Sequence, residues 1–278
     1  MKRSDVKLCL GTSTSWGLPL EELIALIKQV GFDGIFVNWS REIDISKIKA
    51  LTKELGLIFQ SIHAPYESCY LLWEGGKGAK KAVEELLACL EDCHKNSVPI
   101  MVCHAIIGFD KHTPTDVGVE NFRIIFDKAR AYGVKIALEN TEGEEYLARL
   151  MQEFVNYENV GFCWDTGHEM CYNLSKDMLS LYGDRLFSTH INDNLGVTDP
   201  ENIFWTDDLH LLPFDGIKDW QDAMDRLDRH GYKGEMTFEL RKSSKPNRHE
   251  NDKYEQMSAS DYVKEIYTRA CKLAEMRR

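Results

Sequence analysis

No apolar run in the 278 residues reaches membrane length, which excludes a helical span within this sequence. Met1, Lys2, Arg3, Ser4 and Asp5 carry no apolar signal core and lead toward a first strand, so the expectation is a soluble, cytoplasmic chain. Positive charge is in short supply: 34 Lys and Arg stand against 45 Asp and Glu, a net charge of -11. That balance disfavours a general affinity for nucleic acid or anionic membrane, although a local basic or metal-lined cleft stays open. Paired cysteine motifs are missing. Cys9, Cys69, Cys89, Cys93, Cys103, Cys163, Cys171 and Cys271 fall mostly in strand-like and helix-like stretches, so they read as reduced, mostly buried thiols. Cys89 and Cys93 have i,i+4 spacing, but no second pair completes a zinc site. No glycine-rich dinucleotide fingerprint follows the first strand, which weakens a doubly wound open sheet. Glu74-Gly75-Gly76-Lys77-Gly78 lacks phosphate-loop spacing and reads as a flexible loop leading into a helix near Ala79. No low-complexity linker divides the chain, so residues 1–278 read as one domain.

What is present is alternation. Short β-rich apolar runs occur near Val6 to Leu10, Gly34 to Val37, Ile58 to Ile62, Ile100 to Cys103, Lys135 to Leu138, Val160 to Trp164, Leu186 to His190 and Glu235 to Leu240. Between them apolar residues recur at helical spacing, as in Leu20, Leu23, Ile24 and Ile27. Gly31, Gly56, Gly133 and Gly231 sit where each helix pattern hands over to the next strand, the place for a left-handed cap. Eight such units predict an α/β fold, a single-domain (β/α)8 TIM barrel.

The strand ends carry the chemistry. His63, His104, Glu139, Asp165 and His190 end strands three to seven, and Glu239 lies near the end of the eighth. In a barrel those ends meet on one face, where active sites form. Carboxylates gathered there repel one another unless a positive charge sits among them, and a divalent cation with mixed nitrogen and oxygen ligands meets that need. His168, Asn192, Asp193, Asp208 and His210 lie just beyond the strands and could complete the site. Arg241 follows Glu239 by two residues, so a persisting strand would point both the same way, for a substrate phosphate or carboxylate or for a salt bridge to Glu239. Trp16, Trp39, Tyr66, Trp73 and Trp205 offer either an apolar wall for substrate or ordinary packing of loops onto the barrel. The polar stretch Lys242 to Ser258, with Lys245 and Arg248, is the candidate lid, or else a solvated surface loop.

Leu138-Glu139-Asn140, Trp164-Asp165-Thr166-Gly167-His168, His190-Ile191-Asn192-Asp193, Asp208-Leu209-His210 through Trp220, and Phe238-Glu239 resemble the xylose-isomerase-like barrel superfamily across essentially the whole chain. That superfamily contains sugar-phosphate isomerases and epimerases, inosose dehydratases and endonuclease IV. The resemblance to the isomerases and epimerases implies one divalent metal on Glu139, Asp165, His190 and Glu239, with Glu139 and Glu239 as the catalytic acid/base pair. It implies a sugar-hydroxyl contact from His168, and His63, His104, Arg241 and Trp16 are the further candidate substrate-binding residues. Zinc or manganese comes first for the metal, with cobalt or magnesium as further options. The implied partner is a sugar or sugar phosphate and no membrane; nucleic acid is disfavoured but left open, as is homo-oligomerisation. The resemblance to endonuclease IV implies instead three zincs, with His63, His104, His168, Asp208 and His210 as additional ligands and abasic DNA as substrate. Against it stand Arg41 as the lone basic residue after strand two and the lack of a basic stripe along several loops. A sugar dehydratase on the same scaffold is a further alternative.

Overall fold

A computed structural model describes residues 6–110 and 113–278; Met1 to Asp5 lie outside the described residues. Eight parallel strands form the wall: β1 (Leu8–Gly11), β2 (Gly34–Asn38), β3 (Ile58–His63), β4 (Ile100–His104), β5 (Lys135–Glu139), β6 (Val160–Asp165), β7 (Leu186–His190) and β8 (Met236–Phe238). They run in sequence order from β1 to β7, with β8 paired to the free side of β1. Between β7 and β8 the closure is a single parallel bridge, Ile191 to Phe238, carried by Ile191 N to Thr237 O at 2.7 Å and Glu239 N to Ile191 O at 3.3 Å.

The helices are α1 (Leu20–Val30), α2 (Ile45–Leu55), α3 (Gly76–Lys95), α4 (Asp116–Tyr132), α5 (Glu144–Glu153), α6 (Thr166–Cys171), α7 (Met178–Tyr182), α8 (Trp220–Arg229), α9 (Asp252–Glu255) and α10 (Ala259–Met276). Gly56 and Gly133 close α2 and α4 with φ of 63° and 68°, a backbone that a side chain resists. None of the helices among the described residues is long and apolar enough to cross a membrane. One apolar cluster fills the shell between strands and helices, with Leu23, Ile27, Leu86, Phe122, Phe126, Leu150 and Ile266 from the helices against Leu8, Leu10, Ile35, Ile62, Met101 and Leu138 from the strands. A second, small cluster of Ile100, Val102, Ala137 and Cys163 plugs the barrel axis. Strand side chains alternate between faces, so Ile100, Val102 and His104 share one face, as do Ala137 and Glu139. The same face that packs the axis therefore delivers polar groups at its C-terminal mouth.

Three boundaries differ from the sequence reading. Helix α3 starts at Gly76, so Gly76-Lys77-Gly78 is its first turn and not loop. Strand β8 covers only Met236–Phe238, so Glu239 and Arg241 lie beyond regular strand geometry. The stretch from Lys242 to Ser258 contains α9 and is held down internally: Ser244 Oγ donates to Asp252 at 2.6 Å, Lys242 Nζ to Glu255 O at 3.3 Å, and Arg248 pairs with Glu250 at 2.8 Å. Seven of the eight cysteines are buried free thiols, and Cys271 is half-buried.

Candidate metal centre

The strand-end residues converge. Glu139, at the end of β5, is surrounded by imidazoles: its Oε2 lies 3.2 Å from His63 Nε2 and 3.3 Å from His104 Nε2, and its Oε1 lies 3.0 Å from His190 Nδ1 and 3.4 Å from His168 Nδ1. His190 Nδ1 is also 3.0 Å from Glu239 Oε2. Asp165 completes this group, and ligand atoms of Glu139, Asp165, His190 and Glu239 all lie within 4.8 Å of one another. Beside it His168, Asp208 and His210 form a second group, with Asp208 Oδ1 3.5 Å from His168 Nε2 and Oδ2 2.9 Å from His210 Nε2. His63, Glu139 and His190 form a third that shares members with the first.

Local sequence sets these positions. Asp165 caps α6 through its carboxylate, which accepts from His168 N at 2.6 Å, so one residue both ends β6 and starts the helix that carries His168. Asn192 Nδ2 donates to Asp165 Oδ2 at 2.8 Å. Gly167 permits that approach, because a Cβ there would stand 1.9 Å from Asn192 Oδ1. Asn140 Nδ2 donates to Asp165 O at 2.9 Å, and Asn140 Oδ1 accepts from Asp165 N at 2.8 Å, tying β5 to β6. Asp193 is no ligand: it accepts from Phe214 N, Lys218 N and Trp220 Nε1 at 2.9, 3.1 and 3.0 Å and so anchors the loop that presents Asp208 and His210. His210 itself has φ of 47°, a strained backbone held at the site.

The donor set fits a cation. His63 Nδ1 faces Ala64 O at 2.8 Å, His168 Nδ1 faces Asn140 O at 3.1 Å and His210 Nδ1 faces Glu239 O at 3.2 Å. Each ring thus donates its Nδ1 proton to a backbone carbonyl, which leaves Nε2 aimed at a carboxylate. A bare nitrogen and a carboxylate oxygen both offer lone pairs, so the contact is favourable only with a proton or a cation between them. Asp208 Oδ1 is buried with no hydrogen-bond partner among the described residues. Electrostatics agree. Burial opposes the charge on Glu139, yet His190 and hydrogen bonds from His104, His168 and His190 hold its carboxyl well below the usual range. Burial likewise opposes Glu239, but His190 brings it down to about 2. Burial pushes Asp165 up to about 6, with the charges of Glu139 and Glu239 adding to the rise. Burial works against charge on the imidazoles, but Asp208 and Glu239 lift His210 to about 9, and neighbouring carboxylates lift His168 well above its usual range. The protein without a cation therefore recruits protons to balance its carboxylates.

Two cavities open on this centre. One of about 390 Å³ is lined by Tyr66, Phe109, Tyr172, Trp205 and Glu142 together with His104, His168 and Glu239. The other, of about 330 Å³, is lined by Thr12, Ser13, Ser15, Trp16, Arg241 and Ser243, and shares Glu239 with the first. Glu239 opens on both, whereas Glu139 lies beneath, 1% exposed. Arg241 Nε donates to Ser243 O at 3.1 Å, and the guanidinium has no ion pair among the described residues; the salt bridge to Glu239 is not formed. Trp16 is buried edge-on against Tyr262 at 5.2 Å, and Tyr66 stacks on His104 at 4.7 Å. Trp39 and Trp73 are packing residues whose Nε1 groups donate to Asp92 and to Ala105 O. Asp215, too, points away from the mouth, to Lys253, Tyr254 and Arg269. Sequence reasoning passed over Phe109, Glu142 and Tyr172. Tyr172 follows His168 by four residues on the α6 stretch, a helical spacing that could have placed it.

A family model described as xylose isomerase-like TIM barrel matches residues 24–260. The uncharacterized protein y4fM of Sinorhizobium fredii (strain NBRC 101917 / NGR234) is 31% identical over 195 residues, 64% of this chain and 55% of that protein. The chain thus spans about half the length of this curated relative. Among solved structures, the IOLI protein with a binding zinc atom superposes with a TM-score of 0.77 at 18% identity, covering 97% of this chain and 98% of that one. L-ribulose 3-epimerase superposes with a TM-score of 0.73 at 16% identity, covering 97% and 95%. At such identities the superpositions speak for the fold, and the family match speaks for descent: the chain belongs to the xylose isomerase-like TIM barrel family.

Proposed function

We propose that this protein is an enzyme, a divalent-metal-dependent isomerase or epimerase of a sugar or sugar phosphate that moves a proton next to a carbonyl. The observation that carries the reading is the pair of carboxylates, Glu139 Oε1 and Glu239 Oε2, each 3.0 Å from His190 Nδ1, with Glu239 opening on the substrate cavity. Glu139, Asp165, His190 and Glu239 would hold the cation, zinc or manganese by donor type, with cobalt or magnesium next. When bound it supplies electrophilic stabilisation of the negative charge that develops on a substrate carbonyl oxygen. Glu239, ionised and accessible, takes the proton alpha to the carbonyl, and Glu139 is its partner in returning one. His168, His104 and His63 orient the carboxylates and the hydroxyls of the substrate. Arg241, whose guanidinium has no ion pair among the described residues, lies on the hydroxyl-lined cavity with Ser13, Ser15 and Ser243 and suits a phosphate or carboxylate end. The names of solved neighbours, including an L-ribulose 3-epimerase and a 3-keto-D-glucoside 4-epimerase, support a small carbohydrate substrate.

The test is solvent exchange. Metal-reconstituted protein incubated in D2O with a panel of ketoses and ketose phosphates should exchange the proton next to the carbonyl, read by NMR, and Glu239→Gln should abolish it. No exchange across the panel would sink the reading.

A second reading, an endonuclease IV-like zinc phosphodiesterase acting on abasic DNA, is favoured by one observation: eight of the nine residues it would use gather in three groups, and the ninth, His104, lies 3.3 Å from Glu139. Glu139 presents Oε2 to His63 and His104 and Oε1 to His190, so its two oxygens face different imidazoles. Against it, Arg248 is occupied by Glu250 and Asp207, and Lys245 by Asp208, which leaves the most cationic loop little charge for phosphates. Cleavage of an abasic duplex with three zincs per chain would establish it. His63→Ala separates the two, since a one-metal isomerase keeps its metal.

A further inference from the structure

Lys245 sits on the loop after β8 with its side chain only 8% exposed. Its Nζ lies 3.3 Å from Asp208 Oδ2, donates to Trp205 O at 3.2 Å and stands over the Trp205 ring at 5.1 Å. A lysine on a surface loop ordinarily keeps its ammonium in water; this one is taken in and given a carboxylate. That carboxylate is the only one in the His168, Asp208 and His210 group.

The two groups at the mouth are therefore unequal in charge. Glu139, Asp165 and Glu239 bring three carboxylates around His190, and among the described residues no lysine or arginine pairs with any of them. Asp208 brings one, and Lys245 cancels it. The oxygen that Lys245 holds, Oδ2, is also the one His210 Nε2 approaches at 2.9 Å. A cation on that group would thus share an oxygen with a buried ammonium, in surroundings where like charges repel strongly.

We propose that Lys245 is a built-in counter-cation that sets metal occupancy. It withholds Asp208 from a second divalent ion, so that the chain loads one ion tightly on Glu139, Asp165, His190 and Glu239 and only weakly uses His168, Asp208 and His210. The inference rests on the metal-site part of the proposed function and not on its sugar chemistry.

Zinc titration of metal-free full-length protein against a chromogenic chelator tests it, with no need for a substrate. The wild type takes one zinc tightly and a second roughly a hundredfold more weakly. Lys245→Met, uncharged and of similar length beside Trp205, tightens the second step by about tenfold or more and leaves the first unchanged. Lys245→Gln, which retains a donor for Trp205 O, does the same should the methionine variant fold poorly. Lys245→Arg keeps the wild-type pattern, and Asp208→Asn in the Lys245→Met background removes the gain. Equal affinities for two or three zincs in the wild type, or a second step unmoved by both neutral variants, would overturn the proposal. Absence of tight zinc in every variant would overturn the metal reading along with it.

Discussion

His190 Nδ1 stands 3.0 Å from Glu139 Oε1 and 3.0 Å from Glu239 Oε2, joining the ends of β5 and β7 to the residue just after β8. The two glutamates differ in access, since only Glu239 reaches the cavity wall. Glu239→Gln is expected to lower turnover by about 10²- to 10⁴-fold, the span of lost acid-base catalysis. Its melting temperature should stay near wild type, because Glu239 is the less buried of the two. Steady-state kinetics beside a thermal melt checks both halves; retained turnover in both Glu239→Gln and Glu139→Gln excludes the pair.

Gly167 lies under Asn192. Gly167→Ala should destabilise the fold by about 1–3 kcal/mol, an overpacking cost, as its methyl meets Asn192 Oδ1. Asn192 would then lose its hold on Asp165, so zinc affinity should fall too. Gly167→Ala combined with Asn192→Ala should regain stability without regaining affinity, which denaturant melts and zinc titration resolve.

Behind α6, Glu169 is buried between Lys218 at 2.9 Å and Arg226 at 2.5 Å, and also accepts from Trp164 Nε1 at 2.8 Å. The side chains of both cations are under a tenth exposed. Glu169→Ala strands them, at an expected cost of about 3–5 kcal/mol. A loss below about 1 kcal/mol in urea unfolding would contradict this account of the cluster.

Asp215 joins the loop after β7 to α9 and α10 through Lys253 at 3.0 Å, Tyr254 and Arg269 at 2.8 Å. Burial opposes its charge, but hydrogen bonds from Tyr254, Arg269 and Lys253 hold the carboxyl below its usual value. A depressed folded value stabilises above the unfolded one, near pH 4, and that contribution disappears as pH falls through the folded value. Asp215→Asn should therefore melt below wild type at neutral pH and converge with it as the buffer is taken below about pH 4. A constant gap across that range would refute the role.

The strand ends were legible because a parallel barrel wall has one repeating pattern, and His63, His104, Glu139, Asp165 and His190 each close a run of it. Glu239 and Arg241 were harder. The last strand stops at Phe238, and the cavity that both residues line is shaped by loops from β1 and β8. The Lys245 to Asp208 contact spans 37 positions and depends on Asp193 folding the loop between β7 and α8, which no local pattern announces. Gly76 opening α3 was missed for a plainer reason: glycine is a poor helix former, and tertiary packing overrides its preference.

The barrel seam has its own implication. Strands β7 and β8 meet through one bridge at Ile191 and Phe238, while His190 and Glu239, the neighbours of those two residues, face each other at 3.0 Å. An ion gripped by both would act as a clasp on the thinnest joint of the cylinder. Stripping it should loosen the last stave before any other, with amide exchange quickening first at Ile191 and Phe238.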